Sequence, residues 1–203
     1  GPEIAVAATK TYTTELAAVA LLASAYQNKG LRELRRLPAW MTQTLKRNAS
    51  IQHWAERYRY AQSLAVIGRG YNYCTAYEIS LKIKELCSMT SQEYSEADFR
   101  HGPIAVVQRN FPVLCIAPKG APTALMVDLM DKIRAKGGEV ISVSNDESAL
   151  AKGHKQMTLP DMPEWLSPLC AVLPGQLLAL YMAQEKGYDV DKPEGLTKVT
   201  ITE

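Results

Sequence analysis

Three residues in the middle of the chain have types and spacing suited to moving protons. Glu78, Lys82 and Glu85 recur at i, i+4 and i+7. At that spacing side chains stack on one stripe of a helix. Ile79, Ile83 and Leu86 follow each of them by one position and form a parallel apolar stripe fit to face a core. Further on comes His101, in the run Arg100-His101-Gly102-Pro103. Carboxylate, amine and imidazole can each carry a proton near neutral pH once their surroundings tune them, so this set suits general acid/base chemistry. The competing reading is plain. A Glu-Lys-Glu stripe is ordinarily a solvated face held by ion pairs of about 0.2–0.5 kcal/mol each, and a histidine before Gly-Pro is ordinarily a loop residue. The preceding segment favours chemistry. A strand-like run, Ser63–Gly68, and the turn Arg69-Gly70 lead into the helix, and open α/β sheets place ligands at such turns.

Those side chains need a scaffold. The chain has 203 residues, of which 47% are hydrophobic and 22% charged, as expected of a soluble globular fold. A formal net charge of +2 gives no reason to expect nucleic acid or a membrane surface as partner. No uninterrupted apolar run reaches the ~18 residues of a membrane span, and no signal-like core opens the chain. Cys74, Cys87, Cys115 and Cys170 lack CxxC spacing, so neither a zinc ribbon nor a redox pair is expected. Thiols scattered among apolar residues suggest a reducing, cytoplasmic setting. No metal and no cofactor are expected.

The pattern along the chain predicts a helix from Thr11 to about Asn28, ended by Gly30. A charged helical stretch follows from Leu31 to Tyr60, with a break near Pro38, and reads as a bridge between lobes. Buried strands are predicted at Ser63–Gly68, Pro112–Ala117 and Glu139–Ser144, with a fourth at Met157–Leu159. Helices are predicted over the Glu78 stripe, over Thr123–Lys136 and from Ser167 to about Lys186, the last interrupted by Pro174-Gly175. This alternation means a parallel sheet covered on both faces. The Ala/Leu-rich first helix needs a sheet to cover, so the chain is expected to begin inside a domain whose front half precedes Gly1.

Five segments together resemble a known family: GPEIAVAATKTYTTE, the Gly68-Arg69-Gly70 turn, EISLKIKE, FRHGP and DVDKPEGLTKVT. They look like the sugar isomerase (SIS) domains of aminosugar-phosphate enzymes. The resemblance implies a flavodoxin-like α/β fold with a five-stranded parallel sheet flanked by helices. It divides the chain into the end of a first SIS domain with bridging helices (1–47), a second SIS domain (48–187) and a catalytic tail (188–203). It implies Glu85 as isomerase base, Lys82 and Glu78 as its companions, and His101 as a ring-opening residue entering a neighbouring subunit's site. Lys198 becomes a Schiff-base lysine, and Val6 and Thr197 become sugar contacts. A homodimer acting on a sugar phosphate follows.

Within the family, ADFRHGP and LTKVT resemble the glucosamine-6-phosphate deaminase type, which is the first reading. The isomerase half of glutamine–fructose-6-phosphate aminotransferase is the alternative. A fructosyl-amino acid deglycase and a non-catalytic sugar-phosphate sensor remain open behind these two. Ala8 stands where the aminotransferases usually have serine. The family's Ser/Thr-rich phosphate loop would precede Gly1. The only phosphate-like turn here, Gly68-Arg69-Gly70, carries the bulky Tyr71 and Tyr73, so phosphate binding by this chain is expected to be poor.

Overall fold

The computed structural model describes residues 2–198. The first helices are α1 (Lys10–Gln27), α2 (Leu31–Leu34), α3 (Leu37–Arg47) and α4 (Ile51–Trp54). An α/β unit follows: β1 (Ser63–Gly68), α5 (Tyr73–Cys87), β2 (Thr90–Ser95), α6 (Glu96–Arg100), β3 (Pro112–Ile116), α7 (Thr123–Ala135), β4 (Glu139–Ser144), α8 (Glu147–Lys152), β5 (Lys155–Thr158) and α9 (Ser167–Glu185). The five strands form one parallel sheet in the order β2-β1-β3-β4-β5. The expected doubly wound α/β fold is therefore present.

Strand alternation divides the core into two layers. Leu64, Val66, Leu114, Ile116, Ile141 and Val143 join a cluster with α5 and α9 on one face. Ala65, Ile67, Val113, Cys115 and Val140 join a second cluster with α7 on the other. Burial on both faces explains why β1, β3 and β4 read as continuous apolar runs. β2 escaped the pattern because it is an edge strand, Thr90-Ser91-Gln92-Glu93-Tyr94-Ser95, with only Ser91 fully buried. The strand expected at Met157–Leu159 lies slightly earlier. It too is an edge, and the side-chain amide of Asn48 donates to Thr158 O (2.9 Å) and accepts from Thr158 N (3.0 Å).

Of the two prolines, one behaves as expected and one does not. The break expected near Pro38 is present: α2 ends at Leu34 and α3 starts at Leu37, with Pro38 in its first turn, where its missing N–H costs nothing. Pro174 lies inside α9, which runs unbroken through it. α9 also corrects the statement about apolar length. Among the described residues it is one helix long and apolar enough to cross a membrane, and 72% of its apolar window is buried inside the fold.

α3 and α4 pack against α9, and Ala7, Ala20, Leu37 and Trp40 belong to the same cluster as the sheet residues. Arg57 fixes the following turn to the sheet through two 2.6 Å hydrogen bonds to Glu139, which also accepts from Tyr58 Oη at 2.8 Å. Burial alone would raise the Glu139 carboxyl, but the Arg57 and Tyr58 hydrogen bonds outweigh it and hold the group below its ordinary range.

The tightest contact between helices is α5 on α9. A Cβ added at Gly175 would fall 2.3 Å from Ile79 Cδ1 and 2.4 Å from Ile79 Cγ1, and Ile79 is fully buried. Glycine therefore sets how closely the two helices approach. Gly175→Ala is expected to destabilise the fold by about 1 kcal/mol net. Overpacking costs about 1–3 kcal/mol, and alanine's better helix propensity returns about 1. Adding Ile79→Ala, which removes the clashing Cδ1 and Cγ1, should cost less than the two single changes summed. Urea unfolding of the four proteins measures this, and strict additivity would refute the close-approach argument.

Candidate functional site

α5 begins directly after β1 and its turn, so the sheet fixes where its side chains go. Asn72 precedes its first residue and donates from Nδ2 to Ser167 Oγ (2.7 Å), tying the start of α5 to the start of α9. With α9 packed on top, the Glu-Lys-Glu stripe is covered rather than solvated. Glu78 is 8% exposed, Lys82 3%, and the Glu85 side chain 25%. Lys82 Nζ lies 2.6 Å from Glu85 Oε2 and 3.6 Å from Glu78 Oε1. One buried ammonium thus serves two carboxylates, Glu78 buried and Glu85 partly exposed.

The electrostatics of the stripe are uneven. Burial raises the Glu78 carboxyl above its ordinary value; Lys82 and Gln176 pull it back in part, and Glu85 adds to the rise. Glu78 Oε1 and Gln176 Nε2 are buried and make no hydrogen bond. The same holds for Tyr12 Oη on α1, whose phenol is pushed up by burial and then by Cys74. Buried polar atoms without a hydrogen bond are costly, and Glu78 Oε1 keeps only its long 3.6 Å contact with Lys82.

The two ends of the described chain meet beside this stripe. Val6 N–H donates to Asp191 O at 3.1 Å, and Lys198 Nζ donates to Ala5 O at 2.5 Å. Thr197 is exposed next to Lys198. Glu3 accepts from the backbone of Thr9 (3.2 Å) and Thr11 (2.9 Å) at the start of α1, and these hydrogen bonds, Thr11 first, lower its carboxyl. The charge of Lys10 at that helix start is met by Pro2 O at 2.9 Å and by Glu3. A cavity of about 280 Å³ lies among Ala5, Ala7, Thr9, Leu86, Gln176 and Asp191. Its walls come from the amino-terminal segment, the end of α5, α9 and the tail.

Val6, Glu78, Lys82, Glu85 and Lys198 are thus gathered on adjoining elements. His101 is not. It is exposed and ends α6, just beyond the carboxyl end of β2. Glu85 is in the last turn of α5, which leads into the amino end of β2. A six-residue strand separates the two by roughly 20 Å. Within one chain His101 cannot reach Glu85. The Gly68-Arg69-Gly70 turn offers no free cation either, because the Arg69 guanidinium is paired with buried Glu96.

Gln176, Tyr12 and Asp191 were not picked out from sequence. Gln176 carried a usable signal, being a lone amide inside an apolar helix. The other two lay inside the segments GPEIAVAATKTYTTE and DVDKPEGLTKVT, without being singled out there. Among the described residues no grouping of His, Cys, Asp and Glu is fit to hold a metal ion.

A family profile for the SIS domain matches residues 58–186. Glutamine–fructose-6-phosphate aminotransferase (isomerizing) of Aquifex aeolicus is 36% identical over 208 residues, and that of Pyrococcus horikoshii 37% over 212. Each alignment covers 100% of this chain and 35% of the relative, so the chain spans about a third of those enzymes' length. Among solved structures, the C-terminal domain of glucosamine-fructose-6-phosphate aminotransferase from Francisella tularensis superposes with a TM-score of 0.86 at 28% identity, over 95% of this chain and 58% of that one. Glucosamine-6-phosphate deaminase from Thermotoga maritima superposes with a TM-score of 0.83 at 20% identity, over 100% and 60%; at that identity the likeness speaks for the fold. With most of the chain matched by the profile and all of it aligned to these relatives, the chain belongs to the SIS domain family.

Proposed function

We propose that this chain is isomerase machinery of the glutamine–fructose-6-phosphate aminotransferase type, working on an open-chain aminosugar phosphate. The observation that carries the proposal is the buried Glu78–Lys82–Glu85 stripe beside the Val6 segment and Lys198. The sequence had favoured the deaminase type on two short motifs. Relatives identical at 36–37% over the whole chain outweigh those motifs and favour the aminotransferase type. The two readings share the same proton transfer.

In this mechanism Lys198 leaves Ala5 O, gives up its ammonium proton and adds to the ketose carbonyl; the carbonyl oxygen departs as water, the sugar is held open as a Schiff base, and ammonia displaces the lysine from that carbon. Glu85 moves a proton between C1 and C2, accepting it from one carbon and returning it to the next. Lys82 donates to the Glu85 carboxylate and keeps it aimed, and Glu78 balances the lysine from the other side. Val6 lies on the backbone segment under the tail and lines the sugar's path, with Thr197 beside the lysine. His101 opens the sugar ring in the site of a second subunit, because its own Glu85 is out of reach. A homodimer follows, the commonest closed assembly. Free thiols at all four cysteines suit a cytoplasmic enzyme.

Glu85→Gln in the complete enzyme is expected to lower isomerase turnover by about 10²–10⁴-fold while the protein still folds, with a lower unfolding temperature because Lys82 loses its nearer carboxylate. Turnover near that of the unaltered protein would remove Glu85 as the base. The shared site has its own signature. Glu85→Gln and His101→Ala proteins, each inactive, should regain about a quarter of full activity when refolded together, since half the dimers are mixed and each has one intact site. A mixture as inactive as its parents would exclude a site built from two subunits.

A further inference from the structure

The ligand position most often used by this fold is closed in this chain, and one side chain accounts for it. In a sheet ordered β2-β1-β3-β4-β5 the chain switches direction between β1 and β3, and ligands sit beyond the carboxyl ends of those strands. Here that crevice, lined by Arg69, Asn72, Pro118, Thr123 and Glu164, has a volume of only about 10 Å³. That leaves room for no more than one water molecule.

Glu164 fills it from the far side. It precedes α9, and its Oε2 accepts the backbone N–H of Ala121 at 3.0 Å. Ala121 lies in the loop that enters α7, a helix with no acidic residue in its first turn and no side-chain cap. A carboxylate there meets the positive end of the helix. Gly120 makes the approach possible, because a Cβ at that position would fall 2.3 Å from Glu164 Cδ and Oε2. Glu164 O also accepts from Ser167 Oγ (2.6 Å), which accepts from Asn72 Nδ2 (2.7 Å). The loop after β1 and the loop after β3 are therefore joined across the crevice through the segment that carries Glu164.

We propose that Glu164 is a built-in anion that occupies the crevice in place of a phosphate and closes it to phosphate esters. It acts as a specificity residue by exclusion. Any sugar phosphate is kept from the carboxyl end of this sheet, while Glu85 stands toward the opposite end. This inference does not depend on the isomerase reading, since it concerns a different part of the sheet.

The test is a titration with inorganic phosphate, followed by the amide resonances of Gly120 and Ala121, against chloride at matched ionic strength. In the unaltered chain these resonances should stay still. In Glu164→Ala they should shift saturably, and only with phosphate. Glu164→Gln keeps the side-chain volume and an oxygen for Ala121, and should stay closed. If Glu164→Ala does not fold, Glu164→Ser vacates the same space and carries the same expectation. A phosphate response in the unaltered chain, or none in a folded Ala or Ser variant, would overturn the proposal.

Discussion

A lysine ammonium held between two carboxylates beneath a helix constrains everything around it. Taking charges out of water costs several kcal/mol per ion unless each finds partners. Lys82 has two, Glu85 at 2.6 Å and Glu78 at 3.6 Å, so removing either leaves the other poorly balanced. The arrangement persists only if α9 stays tightly seated on α5, which Gly175 permits by lacking a side chain over Ile79. It also needs the chain ends to close beside it, which Val6, Asp191, Ala5 and Lys198 do through backbone carbonyls. Packing, charge and chain closure converge on one place.

The rest of the sheet is arranged in the opposite sense. At its carboxyl end, charges are neutralised locally. Arg69 meets Glu96, Arg100 meets Glu96 and Asp128, and Glu164 meets a backbone N–H. These contacts satisfy their partners and leave little room between them. Beside α5, buried polar atoms on Glu78, Gln176 and Tyr12 are left without hydrogen bonds. Ser24, Ser80 and Ser91 also carry such atoms, so what sets the α5 group apart is that Glu78 lies close to both Gln176 and Tyr12.

Much of this was legible in the sequence, for physical reasons that differ by element. β1, β3 and β4 are buried on both faces, so their apolar runs could be read directly. β2 could not, since an edge strand shows polar residues to solvent. Pro174 misled because a proline's effect depends on its place in the helix, which local sequence does not state. The types and spacing of Glu78, Lys82 and Glu85 were plain, but their burial was not. The same spacing describes a solvated stripe, and only α9, nearly a hundred residues later, decides between them. The roles of Tyr12 and Glu164 could not be read for the same reason, since their partners are distant in sequence.

The central claim is that the stripe is buried and electrostatically coupled, and the Glu78 carboxyl reports on it. Its raised value means that the folded chain binds this proton more tightly than the unfolded chain does. Stability from Glu78 is therefore full below the unfolded value and is lost as pH rises through the folded one. Carbon-13 side-chain NMR across an acid titration should find Glu78 titrating above the exposed glutamates. In Lys82→Met, which removes the opposing charge, it should move higher still. A Glu78 that titrates with the exposed glutamates, and does not respond to the loss of Lys82, would contradict the account.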